Sequence, residues 1–219
     1  RTAPPIPGLF FDPYIQLPIG LADQVLHQCK TTYFQNPSTN QIMLFGRATD
    51  PSSPDASTKP SNSGMPPFLH SLFLHLEELL RPSLPSDIHK LLFPPSSEPS
   101  RARQAIINLY RPGEGITPHV DLLGRFGDGI IGVSLGSGCD GERKRWGLYL
   151  PVRSVLVMSG DARYRWTHGI EKKEEDFVER ESGVGLDEIP RRVAEYISRG
   201  ERLSITFRWL LPGAEIVGG

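Results

Sequence analysis

The stretch RLSITFRW, residues 202–209, alternates without a break. Arg202, Ser204, Thr206 and Arg208 fall on one side of an extended chain, and Leu203, Ile205, Phe207 and Trp209 fall on the other. The apolar side predicts a strand packed on a core. The other side carries two guanidiniums, which are costly to enclose unless anions meet them. A small dicarboxylate fits that requirement: a guanidinium fork binds a carboxylate through paired hydrogen bonds, and the hydroxyls of Ser204 and Thr206 can complete the cradle. A solvent-exposed face on an edge strand would show the same alternation.

Upstream, the runs AIINLY (105–110), IIGVSLG (130–136) and WGLYLPVRSVLVMSG (146–160) are separated by Gly and Pro turns, the rhythm of an antiparallel sandwich or jelly roll. The first hundred residues read differently. Pro, Gly and Ser cluster at 51–67 and 94–100, compositions that support loops. Between them PFLHSLFLHLEELL (67–80) places Leu69, Leu72, Phe73, Leu76, Leu79 and Leu80 at helical spacing. LADQVLHQC (21–29) predicts a shorter helix, and SDIHKLLF (86–93) a third with Ser86 as its cap. His70 and His75 have no ligand-spaced partner and read as ordinary helix histidines. LDEIPRRVAEYISRG (186–200) predicts a helix inserted before the last strand, stopped by Gly200. The expectation is a mainly β, α+β chain with flanking helices: one domain over 1–219, with N-terminal helices in 1–100 and a jelly-roll core in 101–219.

A chain of 219 residues and 24.3 kDa supports one substantial core. Its formal charge of -1 and pI near 6.7 give no global basic field, although local patches such as RKR (143–145) and RR (191–192) remain open to phosphate. Two cysteines, Cys29 and Cys139, make no disulfide scaffold and suit a reducing compartment, cytosol or nucleus. No apolar run approaches the roughly 20 residues of a membrane span. The chain begins at Arg1 without a methionine, which points to trimming, so missing targeting signals prove little.

Chemistry concentrates in NLYRPGEGITPHVD (108–121) and RYRWTHGI (163–170). If the first ends as a strand, His119 and Asp121 project from one face. His168 follows a strand-like run and meets Gly169 at a turn, offering a third donor. Two histidines and one carboxylate occupy one face of an octahedron and leave positions open, the arrangement of non-haem Fe(II) oxygenases. A His-x-Asp pair alone is weak, and His168 alone fits a core histidine bonded to backbone. Other motifs fail: GSGCDG (136–141) lacks the Lys-Ser/Thr ending of a phosphate loop, and no Ser-His-Asp nucleophile elbow is visible.

NLYRPGEGITPHVD, SLGS (134–137), GDARYRWTHGI (160–170) and RLSITFR, in this order, resemble the AlkB-like 2-oxoglutarate- and Fe(II)-dependent dioxygenases. The resemblance is specific over 104–211 and weaker before it. It implies a double-stranded β-helix, a cupin-like jelly roll, with Fe(II) held by His119, Asp121 and His168 and with O2 as oxidant. It places Asn108, Tyr110, Arg202, Ser204, Thr206 and Arg208 around 2-oxoglutarate, Arg202 on the distal carboxylate and Arg208 near the keto-acid end. Within the family RYRWTHGI is most similar to the branch that hydroxylates modified wobble uridine in tRNA. The implied substrate is a modified nucleobase in RNA or DNA, with tRNA favoured, and the implied enzyme is a monomer. QIMLFGRATD (41–50) is the counterpart of the family's substrate lid, with Phe45 and Arg47 as candidate contacts; a hairpin packed on the barrel fits it equally well. Two features depart from the pattern. Only GCDGERKRWG (138–147) separates SLGS from LYLP, where the family often has another strand, and EKKEED (171–176) is acidic where a phosphate-facing surface would be basic. A protein side chain as substrate, and a catalytically silent binding module on the same fold, are the rival readings.

Overall fold

The computed structural model describes residues 3–46, 64–95, 101–141, 146–182 and 191–214. Six strands form the main sheet in the order β1 (Leu9–Gln16), β8 (Ser154–Met158), β5 (Phe126–Leu135), β12 (Arg202–Leu210), β3 (Arg103–Tyr110) and β2 (Gln41–Gly46). Every neighbouring pair is antiparallel. The alternation in 202–209 therefore belongs to a central strand, not an edge, and both of its faces are used.

The apolar face carries the core. Leu203, Ile205, Phe207 and Trp209 pack with Ala105, Ile107 and Leu109 of β3, and with Ile131, Val133 and Leu135 of β5. Three helices cover this layer: α1 (Ile19–Tyr33), α2 (Pro67–Leu80) and α3 (Ser86–Leu92). From α2, Leu69, Leu72, Phe73, Leu76 and Leu80 are buried as the helical spacing predicts, with Leu79 half-buried against them. Burying a large aliphatic or aromatic side chain stabilises by about 1.5–3 kcal/mol, so this face is the main source of cohesion.

The opposite face of the sheet looks across a cavity at short strand pairs. These are β4 (Ile116–His119) with β9 (His168–Ile170), and β6 (Cys139–Gly141) with β7 (Leu148–Leu150); β6 runs beside β9. Two facing antiparallel layers with the cavity between them make a double-stranded β-helix, mainly β with flanking helices. The connection that seemed one strand short is itself the β6–β7 hairpin.

Three expectations are corrected. The segment 186–200 is not a helix: β11 (Arg191–Ser198) pairs residue by residue with β10 (Glu175–Ser182), from Glu175 opposite Ser198 to Ser182 opposite Arg191. Eight consecutive cross-strand positions supply a ladder that outweighs local helical spacing, as tertiary pairing commonly does. Gly200 lies in the turn between β11 and β12, and its N–H donates to Ser137 Oγ at 2.9 Å. Ser86 does not cap α3: Pro85 holds the N-cap position and Ser86 lies inside the first turn, with no side-chain cap bond. Asp121 lies beyond the end of β4, so His119 and Asp121 do not share a strand.

At the base of the β10–β11 hairpin, Arg199 Nε donates to Asp176 Oδ2 at 2.8 Å and Arg199 Nη1 donates to the Glu171 carbonyl at 2.6 Å. Both side chains are buried. The ion pair closes the base of the hairpin, and the bond to Glu171 ties it to the chain leaving His168.

Candidate active site

His119 ends β4 and His168 opens β9, and the two stand opposite each other in the ladder with ring centroids 4.5 Å apart. Gly169 makes this approach possible. A Cβ there would lie 2.8 Å from Pro118 N and 2.9 Å from the Ile116 carbonyl oxygen, so any larger residue would force the strands apart. His119 Nδ1 donates to the Thr117 carbonyl at 2.9 Å, which fixes the tautomer and leaves the Nε2 lone pair free for a ligand.

Asp121 is supplied from the loop, where two arginines hold it. Arg208 Nη1 donates to Asp121 Oδ1, and Arg208 Nη2 donates to Gln104 Oε1 at 2.7 Å. Arg163, from α4 (Gly160–Tyr164), donates through Nη1 to the Asp121 carbonyl at 3.1 Å and through Nη2 to the Phe126 carbonyl at 3.2 Å. Burial pushes the Arg208 guanidinium down from its ordinary value, and the Asp121 carboxylate opposes that shift. Asp121 Oδ2 is left buried with no hydrogen-bond partner among the described residues, 3.9 Å from His168 Nε2. One donor atom each from His119, Asp121 and His168 lies within 4.8 Å of the other two, a spacing that can hold one metal ion. An imidazole pair with a free carboxylate oxygen suits a borderline divalent metal such as Fe(II).

This cluster lines a cavity of about 180 Å³. The cavity floor is the polar face of β12, with Arg202, Ser204, Thr206 and Arg208 all on its lining, together with Asn108 and Tyr110. Register sets a gradient across that floor. Ser204 stands between Asn108 and Ser134, Thr206 between Ile106 and Gly132, and Arg208 between Gln104 and Ile130. At the far end from Asp121, Arg202 Nε donates to Ser134 Oγ at 2.9 Å, and its guanidinium carbon lies 5.4 Å from the Tyr110 ring centroid. Arg202 Nη1 is buried and has no partner among the described residues. A buried carboxylate oxygen without a donor at one end, and a buried guanidinium N–H without an acceptor at the other, fit a cation and an anionic ligand respectively.

A profile of the 2OG-Fe(II) oxygenase superfamily matches residues 20–208. The chain belongs to the 2OG-Fe(II) oxygenase superfamily. Its curated relatives make this oxygenase AlkB-like. It is 39% identical over 112 residues to the tRNA (carboxymethyluridine(34)-5-O)-methyltransferase alkbh8 of Xenopus tropicalis, covering 48% of this chain and 18% of that protein. It is 31% identical over 118 residues to the alkylated DNA repair protein ALKBH8 homolog of Arabidopsis thaliana, covering 43% of this chain and 32% of that one. The chain therefore spans less than a third of either relative at the matched stretch. Among solved structures, a Pseudomonas putida prolyl-4-hydroxylase aligns over 93% of this chain and 92% of its own, at 12% identity and a TM-score of 0.47. As a 2OG-Fe(II) oxygenase the chain is a dioxygenase whose cofactors are Fe(II) and 2-oxoglutarate, with O2.

Sequence reasoning missed three residues of this oxygenase's site. Gln104, Ser134 and Arg163 are each 2% exposed and bond to Arg208, Arg202 and the Asp121 carbonyl respectively. Ser134 was legible in principle, because it interrupts the apolar run IIGVSL, whereas Gln104 follows Arg103 at the polar start of β3. Arg163 sits inside the RYRWTHGI motif but gave no signal of burial. Phe45 lies on the same side of β2 as Gln41; its ring packs against Ala102, Phe126 and Leu210, with the Arg125 guanidinium 5.9 Å from its centroid. Arg47 and the RKR run lie outside the described residues. No described helix is long and apolar enough to cross a membrane.

Proposed function

We propose that His119, Asp121 and His168 ligate Fe(II), that Asn108, Tyr110, Arg202, Ser204, Thr206 and Arg208 surround 2-oxoglutarate, and that the enzyme hydroxylates or oxidatively demethylates a modified nucleobase, with tRNA the favoured substrate. The observation that carries the reading is the pair of unsatisfied buried groups in one cavity, Asp121 Oδ2 beside the histidines and Arg202 Nη1 beyond Ser204. Iron with 2-oxoglutarate supplies the oxidising power that places one atom of O2 on a substrate carbon while the cosubstrate becomes succinate and carbon dioxide. Everything else falls to the chain. Arg202 orients the cosubstrate by its distal carboxylate. Arg208 holds the Asp121 carboxylate aimed at the metal position. The apolar part of the lining, including Ile106, Ile130, Leu156 and Met158, excludes water. When the hydroxylated carbon is an N-methyl group, loss of formaldehyde restores the base.

A nucleic-acid substrate draws its support from the relatives, one named for tRNA and one for alkylated DNA. A base must be unstacked to enter such a cavity, which makes single-stranded or loop RNA the cheaper substrate. In this reading the whole of 1–219 acts as one monomeric catalytic unit of the cytoplasm or nucleus, with Phe45 and Arg47 as candidate contacts to the base. The test is conversion of 2-oxoglutarate to succinate coupled to loss or gain of a modified nucleoside, read by mass spectrometry on modified tRNA and alkylated oligonucleotides. A protein side chain as substrate is the alternative that the near-neutral charge permits. Binding whose salt slope is flat for RNA and whose turnover is stimulated only by peptide would replace the first reading with the second.

A further inference from the structure

The ladder registers draw one polar row across the cavity floor. Ser204 stands opposite Asn108 on one side and Ser134 on the other, and Gln41 stands opposite Asn108. The β5–β8 ladder pairs Val133 with Val155, which brings Ser134 and Ser154 to the next position along both strands. All five side chains of the row, Gln41, Asn108, Ser204, Ser134 and Ser154, lie on the cavity lining, and none of them is acidic.

The bonds within the row are directional. Gln41 Nε2 donates to Asn108 Oδ1 at 2.8 Å, which commits the Asn108 oxygen as an acceptor and leaves its amide hydrogens as donors. Ser134 Oγ accepts from Arg202 Nε at 2.9 Å. Ser154 is the exception. It is 1% exposed, and its hydroxyl is buried without a partner among the described residues. A buried hydroxyl left alone costs free energy, and the neighbouring guanidinium has the same deficit at Nη1. A single anionic group within reach of both would satisfy them.

The backbone around Ser154 is fixed. Arg153 adopts a left-handed conformation at φ 69, its N–H donates to the Ser134 carbonyl at 2.7 Å, and its guanidinium donates to the Leu17 carbonyl at 2.8 Å and Gln16 Oε1 at 2.6 Å. The hydroxyl therefore sits at a set depth in the cavity, held by the turn before β8.

We propose that Ser154 sets the length of 2-oxo acid that the cavity accepts, its hydroxyl donating to the distal carboxylate of 2-oxoglutarate alongside Arg202. The inference rests on the reading of Arg202 as that carboxylate's anchor. A ligand one methylene longer or shorter carries its carboxylate past the reach of a fixed hydroxyl, since such bonds hold only within about 2.5–3.0 Å.

The test is anaerobic calorimetric titration of the full chain loaded with Mn(II) in place of Fe(II). The ligands are 2-oxoglutarate, the longer 2-oxoadipate, and 2-oxopentanoate, which lacks the distal carboxylate. Ser154→Ala is expected to weaken 2-oxoglutarate about tenfold, to leave 2-oxopentanoate and Mn(II) affinity unchanged, and to narrow the preference for 2-oxoglutarate over 2-oxoadipate. Ser154→Thr, which keeps the hydroxyl, is expected to recover most of the loss. Unchanged 2-oxoglutarate affinity in Ser154→Ala, or an equal loss for 2-oxopentanoate, overturns the proposal. Arg202→Ala, run alongside, separates the two levels: if it weakens 2-oxoglutarate while Ser154→Ala does not, only Ser154 is misassigned, and if neither does, the anchor itself is wrong.

Discussion

Arg163 Nη1 donates to the backbone carbonyl of Asp121 at 3.1 Å, while Arg208 Nη1 donates to the carboxylate of the same residue. The two arginines come from α4 and β12, and they fix a residue that no strand holds. A metal ligand on a loop is thereby given the positional precision of one on a ladder.

Arg163→Met, which keeps bulk and removes the donors, is expected to leave the Asp121 and Phe126 carbonyls unsatisfied and to cost about 2–4 kcal/mol of stability. Metal affinity should fall as well, because the Asp121 loop loses its tether. Arg163→Lys should recover charge but not the fork, and so only part of both. Chemical denaturation with a parallel Mn(II) titration checks this; unaltered metal affinity in Arg163→Met would show that the loop holds itself.

His119→Ala and Asp121→Ala are expected to abolish 2-oxoglutarate turnover while leaving the protein folded, since their side chains face the cavity and not the apolar core between sheet and helices. Full turnover with a wild-type melting curve in either variant would remove both from the site.

Gly169→Ala should do similar damage without touching a ligand. The new methyl would sit against the Pro118 backbone at 2.8 Å, so β4 and β9 must separate and the two histidines with them. A loss of metal affinity of about five- to 150-fold is expected from a strain of roughly 1–3 kcal/mol. An alanine variant that binds metal normally would show that the β4–β9 pairing is slack.

The two faces of β12 separate by measurement. Arg202→Ala should weaken 2-oxoglutarate by about one to two decades, the equivalent of roughly 1.5–3 kcal/mol for a charge-assisted bond. Leu203→Ala, on the core side, should cost about 2–5 kcal/mol of stability and leave cosubstrate affinity nearly unchanged in folded protein. The opposite pattern would mean that the strand is faced the wrong way.

Cys29 is fully buried in α1, and burial pushes its thiol from 9.0 up to about 12. The folded state keeps the thiol protonated where the unfolded chain would ionise. That contribution to stability is complete below about pH 9 and is lost as pH rises toward about 12. In a Cys139→Ser background a disulfide thiol reagent should leave the native protein unmodified at about pH 8 and react fully once it is unfolded. Rapid labelling of the native state would place Cys29 at the surface.

The strand facings and the gathering of donors were legible because period-two alternation is local and strong: Leu203 to Trp209 could only pack on one side, and His119, Asp121 and His168 carry metal chemistry in their residue types. The hairpin at 175–198 was not legible. RRVAEYIS has helical spacing by itself, and its strand character comes from partners nine to 23 residues away in sequence. Arg163 and Gln104 escaped for a related reason, since a buried polar side chain is defined by what it meets and not by its neighbours in sequence. Asp121 joins the two histidines from a different local geometry than the sequence suggested, because a loop held by two arginines places it where a strand would have done.

The place of β12 between β5 and β3 has a consequence for synthesis. On a ribosome, a chain extended only through β9 already displays His119, Asp121 and His168, yet it lacks the strand that brings Arg208 to the carboxylate and Arg202 to the cavity floor. β12 pairs with β3 about a hundred residues after β3 has emerged, a non-local closure of the slow kind. Translation order therefore presents the cluster of His119, Asp121 and His168 before the guanidiniums of Arg202 and Arg208, and the cavity is complete only once residues 202–210 have threaded into the middle of a sheet whose other strands are already made.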